Sequence, residues 1–207
     1  MFALVDKSDN SITRMLNGNK GITIGDNQYP RAIFSLWTEA ERNAINIYAV
    51  TINTSNKKNE QWYINTNITY AFDGTNATGS YGDATAKAHA DTTWTQEQID
   101  DGDAPDGADT DTVATRGLKY NLIQTVKAQA AGELAKTDWY VVRKSEESTA
   151  IPSAITTHRR LVRSKAAAME TSITNASDTP ALETLYTYTR QEDGSMTRPL
   201  AEIPTLD

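Results

Sequence analysis

The chain has 207 residues, of which 38% are apolar, with no cysteine, two histidines and a formal net charge of −7. Without cysteine there is no disulfide scaffold, thiol nucleophile or thiolate metal site, and with only His89 and His158, far apart in sequence, a zinc site or a Ser-His-Asp triad would have to rest on one of them as its sole imidazole, against the geometry such sites demand. The acidic balance argues against a general nucleic-acid binder, no apolar run of about 18 residues exists to insert into a membrane, and residues 1–10 lack the basic-then-apolar pattern of a secretory signal.

Charge is distributed unevenly. Residues 1–115 carry eight Lys/Arg against sixteen Asp/Glu, whereas the rest carries twelve against eleven. This shift predicts a β-rich domain over 1–99, an acidic linker over 100–115, a helical domain over 116–190 and an irregular tail over 191–207. The fold class expected is α+β, with an N-terminal antiparallel β-rich part followed by a C-terminal bundle of two or three helices.

In chain order, residues 2–5 and 12–16 form short apolar strands. Asn17-Gly18 then predicts a tight hairpin into a third strand at 22–24, because both residues tolerate positive φ. Tyr29-Pro30 ends that strand. Thr38 and Glu41 form a capping box that opens a short helix running to about Ile45. A β-branched strand follows at 47–52. Residues 62–72 alternate, with Trp62, Ile64, Thr66, Ile68, Tyr70 and Phe72 on one face, and this predicts an eleven-residue strand paired antiparallel with 47–52. Tyr63 falls on the opposite, exposed face. With Tyr81 it is a candidate for recognising a surface glycan by stacking on sugar rings.

Residues 73–84 contain Gly74, Gly79 and Gly82 without an apolar period, and are expected to be a mobile loop that fits no phosphate-binding motif. Residues 94–99 suggest one helical turn. Asp100, Asp101, Asp103, Asp106, Asp109 and Asp111, with Gly102, Pro105 and Gly107, predict an extended, self-repelling linker. A calcium loop starting at Asp101 would need an oxygen ligand at its fifth position, where Pro105 stands.

Beyond the linker, Leu118, Leu122, Val126, Ala130 and Leu134 recur at four-residue steps and predict an amphipathic helix. Asp138 is expected to break it, and the run from Trp139 to Val142 to pack on it. Pro152-Ser153 opens another helix with Ser153 as N-cap, carrying a stripe of Ile155, His158, Val162, Met169 and Ile173, with Leu161 and Ala166 alongside. Arg159, Arg160 and Arg163 form a solvated basic side suited to an acidic protein surface, in this chain or a neighbouring copy. Thr179-Pro180 starts a last short helix.

Leu134-Ala135-Lys136-Thr137-Asp138-Trp139-Tyr140-Val141-Val142-Arg143-Lys144, followed by Glu146, Ile151-Pro152 and the basic helix at 155–163, resembles a family of bacteriophage proteins encoded among tail genes. The Ala-rich stretch after Arg163, with Glu170 and Ile173, is similar to it too, as are Tyr29-Pro30, Trp37 and Glu41-Arg42. The resemblance covers about 131–173 well, the first fifty residues weakly, and 53–111 not at all.

The resemblance implies a virion structural protein of the tail, at or next to the tail fibre or baseplate. Such a protein would be made in the bacterial host cytoplasm and would act by docking to other tail proteins and to copies of itself. It implies no enzyme activity, cofactor or metal. The alternatives are a tail-fibre assembly chaperone absent from the mature particle, or a carbohydrate-binding host-recognition module. Physically the motif reads as packing: Thr137 or Asp138 caps a helix, Trp139 supplies a large buried face, and Arg143 pairs with Glu146. The candidate interface residues are therefore Leu118, Leu122, Val126, Leu134, Trp139, Arg143, Arg159, Arg160 and Arg163.

Overall fold

The computed structural model describes residues 1–206 and is α+β, with β-rich structure first and long helices after it. The chain divides into two compact units, Met1–Thr85 and Ala86–Asp207. The charge distribution predicts a division at 100–115 instead. The acidic stretch belongs to the second unit, and the first is nearly neutral, with seven Lys/Arg against eight Asp/Glu.

The first unit contains β1 (Phe2–Asp6), β2 (Ser11–Leu16), β3 (Ile22–Ile24), β4 (Asn27–Tyr29), α1 (Ile33–Leu36), α2 (Glu39–Ala44), β5 (Ile47–Asn53), β6 (Tyr63–Ile64), β7 (Ile68–Phe72) and β8 (Ala77–Tyr81). The short strand β9 (Thr85–Ala86) spans the division. Five strands form one sheet in the order β2-β1-β5-β8-β7, and its two edge strands, β2 and β7, approach each other.

The period-2 geometry of a strand sends the side chains of β1 to two cores. Ala3 and Val5 join Tyr48, Phe72 and Ala77 on one face, while Phe2 and Leu4 pack with Ile22, Ile33 and Ile47 on the other. Ile33 and Ile47 are fully buried, each contributing about 2 kcal/mol of apolar burial. The capping box is present in full: the Thr38 hydroxyl accepts from the Glu41 amide, and the Glu41 carboxylate accepts from the Thr38 amide.

Several sequence expectations need correction. The Asn17-Gly18 turn does not close a hairpin: β2 pairs antiparallel with β1, and β3 pairs with β4. The strand predicted over 62–72 is two pieces, β6 and β7, with Ile64 exposed at their break. Nor does it pair with β5, which runs antiparallel to β1 and parallel to β8. The expected mobile loop at 73–84 holds β8, an interior strand between β5 and β7. Its apolar period is missing because its inward residues, Ala77 and Gly79, are small. A Cβ at Gly79 would lie 2.8 Å from Ile52 Cδ1 and from Tyr70 Cε1, so large neighbours fill the space that a larger residue there would need.

The second unit contains β10 (Thr92–Thr93), α3 (Gln96–Asp100), β11 (Val113–Thr115), α4 (Leu118–Ala135), α5 (Asp138–Glu147), α6 (Ser153–Asn175), α7 (Thr179–Tyr186), β12 (Thr189–Arg190) and β13 (Met196–Thr197). Thr95 and Gln98 form a second capping box that opens α3. Within 100–115, Asp109 accepts from the Asp111 amide and the Thr112 hydroxyl, and Val113 pairs with Thr93, so part of this stretch is tied down rather than extended. The tail is likewise ordered in part: β12 and β13 pair, and Leu200 is buried with its amide on the Leu185 carbonyl.

Helices α4 and α6 pack antiparallel, as the Lys119 ammonium on the Thr174 carbonyl at one end and Arg159 on Leu134 at the other require. The predicted α6 stripe forms the core: Ile155, His158, Val162, Ala166, Met169 and Ile173 are buried, but Leu161 is exposed. On α4, Val126 and Ala130 are buried while Leu118, Leu122 and Leu134 are half-buried. Ser153 is the first residue of α6 and not its cap; Pro152 occupies that place without a side-chain bond.

The start of α4 is capped from outside the helix. The Leu118 and Lys119 amides donate to the Ala88 and His89 carbonyls, and the Gly117 amide donates to Asp91 Oδ1 at 2.8 Å. Arg116 Nη1 lies 2.6 Å from Asp91 Oδ2. The Gly117 amide, with Arg116 second, holds the Asp91 carboxyl below the usual carboxylate range. A depressed folded pKa gives stability that is present above the unfolded value, about 3.9, and lost as pH falls through the folded one. Asp91→Asn should therefore leave a smaller loss of stability on acidification than the wild type shows, measured by urea denaturation at neutral and acid pH. Identical acid losses in the two proteins would remove this role for Asp91.

Candidate docking surface

The Thr-Asp-Trp motif lies at the corner between α4 and α5. Helix α4 ends at Ala135 and α5 begins at Asp138, so the backbone turns within two residues and carbonyls at the end of α4 lose their helical partners. Arg159 of α6 fills the corner. Its Nη1 lies 2.8 Å from the Leu134 carbonyl, 2.7 Å from Thr137 Oγ1 and 2.8 Å from Asp138 Oδ1. Thr137 is fully buried, and its hydroxyl also donates to the Leu134 carbonyl at 3.0 Å. The guanidinium is thus a charged plug in a polar corner, balanced by Asp138, which is about half exposed.

Arg159 therefore differs from its neighbours. The sequence groups it with Arg160 and Arg163 on a solvated side. Arg160 and Arg163 are exposed as expected, but Arg159 is buried. A signal was available: Arg159 follows Ile155 by four residues and precedes Val162 by three, which puts it at the edge of the buried stripe. Its charge concealed that position.

Helix α5 does not pack as expected. None of its residues is buried. Trp139 is 51% exposed and Val142 52%, and Val141 is exposed as well. The Arg143–Glu146 pair expected from sequence is replaced by stacking: the Arg143 guanidinium lies 4.6 Å from the Trp139 ring centre and 5.5 Å from that of Tyr140. The two rings are themselves 4.0 Å apart between centroids. The result is a small aromatic-cation stack beside two exposed valines, on a helix whose first turn is fixed by Arg159.

The other candidates divide. Tyr63 is buried and not exposed, under the Lys58 ammonium at 4.5 Å from its ring. Tyr81 is half-buried, with the Lys57 ammonium 5.8 Å from its ring. The two do not form the open aromatic platform that sugar stacking would need.

A cavity of about 470 Å³ lies between α4 and the C-terminal tail, walled by Gln129, Glu133, Lys136, Arg198, Glu202 and Ile203. Its charges are internally matched: Lys136 bonds Glu133 at 2.6 Å, and Arg198 faces Glu202 at 3.5 Å. Lys136 holds the Glu133 carboxyl below its ordinary range. Tyr188 donates to Glu202, and this bond with the carboxylate raises the phenol. Sequence reasoning missed this cluster because its members lie some seventy residues apart.

Among the described residues, no three His, Asp or Glu side chains gather as a metal site, and no helix is long and apolar enough to cross a membrane. Compared with known protein families, with curated proteins and with solved structures, the chain finds no significant match.

Proposed function

We propose that this chain is an architectural protein of a bacteriophage tail, placed at or next to the tail fibre or baseplate, and that it works by docking rather than by catalysis. The observation behind the proposal is the exposed α5 face: Trp139 and Val142 stand in solvent on a helix start that Arg159 holds in place. A half-exposed Trp next to apolar neighbours is the composition of an interface anchor, since Trp and Arg dominate binding energy where they become buried. The motif that resembles the tail-gene family supplies both parts, Thr137-Asp138 for the corner and Trp139 to Arg143 for the face. Other tail proteins and further copies of this chain are the partners proposed, with the virion as its location.

The test is Trp139→Ser. Because Trp139 is half exposed and its ring contacts to Tyr140 and Arg143 lie within α5, stability should fall by no more than about 1–2 kcal/mol. Association should weaken by at least about thirtyfold if Trp139 anchors an interface. Sedimentation of the chain alone and mixed with the fibre and baseplate proteins of its phage would measure this. Unchanged association would reject the α5 face. A mass-spectrometric census of purified particles checks the role itself: a fixed copy number supports it, and presence in lysates but not in particles would reassign the chain to assembly of the fibre.

A further inference from the structure

The first unit contains seven cationic side chains, and they fall into two groups. Lys7 sits over the Tyr48 ring, Arg42 over Phe2, Lys57 beside Glu60 and Tyr81, and Lys58 over Tyr63. Arg14, Lys20 and Arg31 have no ion pair and no ring partner among the described residues. All three partnerless cations line cavities around the same feature, the connection from β2 to β3.

The largest of these cavities, about 550 Å³, is lined by Arg14 and Lys20 over Met15, Leu16 and Ile22. A second, about 380 Å³, shares Asn17 and Gly18 with it and is lined by Arg31, Phe2 and Phe34, whose rings lie 5.0 Å apart. Among the described residues, no carboxylate lines either one, nor the third cavity, which shares Gly21, Ile22 and Thr23 with the first. The unit as a whole has one more acid than base, so this local excess of positive charge is not a by-product of a basic domain.

The connection is also held in shape. Gly18 takes φ +73°, against Phe34 and Phe2, and a Cβ at Gly21 would lie 2.6 Å from the Tyr29 carbonyl oxygen. An apolar floor with unpaired cations at its rim, in a cleft of this volume, is the make-up of a site for an anionic group carried on a ring-sized scaffold. Arg14 offers the planar fork that matches a carboxylate or phosphate in bidentate fashion, and the low-dielectric floor focuses the field of both cations.

We infer that the cavity at the β2–β3 connection is a binding site for a sugar-sized ligand bearing a carboxylate or a phosphate, held by Arg14 and Lys20. This site is independent of the α5 docking face: it lies in the other unit and uses none of its residues.

The test is a titration of the full-length, isotope-labelled chain, followed by the amide signals of Gly18 and Gly21. Glucuronate and glucose 6-phosphate serve as anionic probes that separate carboxylate from phosphate, and glucose as the neutral control. At least one anionic probe should shift both signals, bind more weakly as salt rises, and lose about tenfold or more in affinity in the double variant Arg14→Gln, Lys20→Gln. Both side chains are exposed, so the variant should keep its fold, as the unchanged signals of the remaining core amides would show. The inference is overturned if neither anionic probe shifts these signals, if glucose binds equally well, or if the double variant binds like the wild type. Tighter binding of a short single-stranded oligonucleotide than of either sugar acid would also overturn it.

Discussion

Arg159→Met is expected to destabilise the second unit by about 2–3 kcal/mol, a fall in Tm on the order of 10 °C. Three oxygens are within hydrogen-bond distance of Arg159 Nη1, and two of them, the Leu134 carbonyl and Thr137 Oγ1, sit at a corner where water is excluded from Thr137. Methionine fills most of the volume but donates nothing. The Leu134 carbonyl would keep the Thr137 amide and hydroxyl as donors, and Asp138 is exposed enough to turn to water. Those two compensations hold the estimate below the roughly 3–5 kcal/mol of a broken, fully buried pair.

Arg159→Lys should fall in between. An ammonium has three hydrogens for the three acceptors, but its stem is one bond shorter, so it reaches only part of the corner. Thermal and urea denaturation of the three proteins measure the order. If Arg159→Met matched the wild type within about 0.5 kcal/mol, the corner would not depend on its guanidinium. The same variant bears on docking: with the corner loosened, the α5 face should lose association even though Trp139 is intact.

Gly117→Ala is the second large effect, at about 3 kcal/mol, the upper part of the usual range for forcing atoms into a packed site. Gly117 has an ordinary negative φ of −78°, so no left-handed conformation demands glycine there. The constraint is proximity. A Cβ would lie 2.3 Å from both the carbonyl carbon and oxygen of Ala90, and 2.8 Å from the Asp91 amide nitrogen. All three are backbone atoms, so no rotamer change relieves the overlap. Residues 88–91 would have to move away, taking with them the carbonyls that accept from Leu118 and Lys119 and the carboxylate that accepts from Gly117. Faster hydrogen exchange at the Leu118 and Lys119 amides, with a lower urea midpoint, is the expected outcome. Wild-type exchange at both amides would show that the segment is not held by this approach.

Local signals proved legible where the determining partners lie within one or two turns. The capping box of Thr38 and Glu41 is such a case, because both of its bonds close over three residues. The buried stripe from Ile155 to Ile173 is another, since one helix face sets it. Patterns failed where the partner is remote. Residues 62–72 alternate convincingly, yet the ladder is broken between β6 and β7, and β7 takes β8 as its partner. Alternation says which residues share a face but not how far one strand continues or which strand pairs with it. Residues 77–81 failed for the opposite reason: small residues carry no hydrophobic signal, and only the side chains of Ile52, Ile68 and Tyr70 reveal that the space is full.

Sequence alone thus determined the α+β class, the order of strands before helices, the core face of α6 and the absence of any thiol chemistry, because composition and short-range periodicity carry that information. Tertiary structure alone decided the sheet order, the burial of Arg159 apart from its two neighbouring arginines, and the exposure of Trp139. Each of those depends on which groups stand opposite: a buried hydroxyl and carbonyl draw the guanidinium inward, and an aromatic side chain that stacks on Tyr140 and Arg143 of its own helix stays half in water whatever its hydrophobicity.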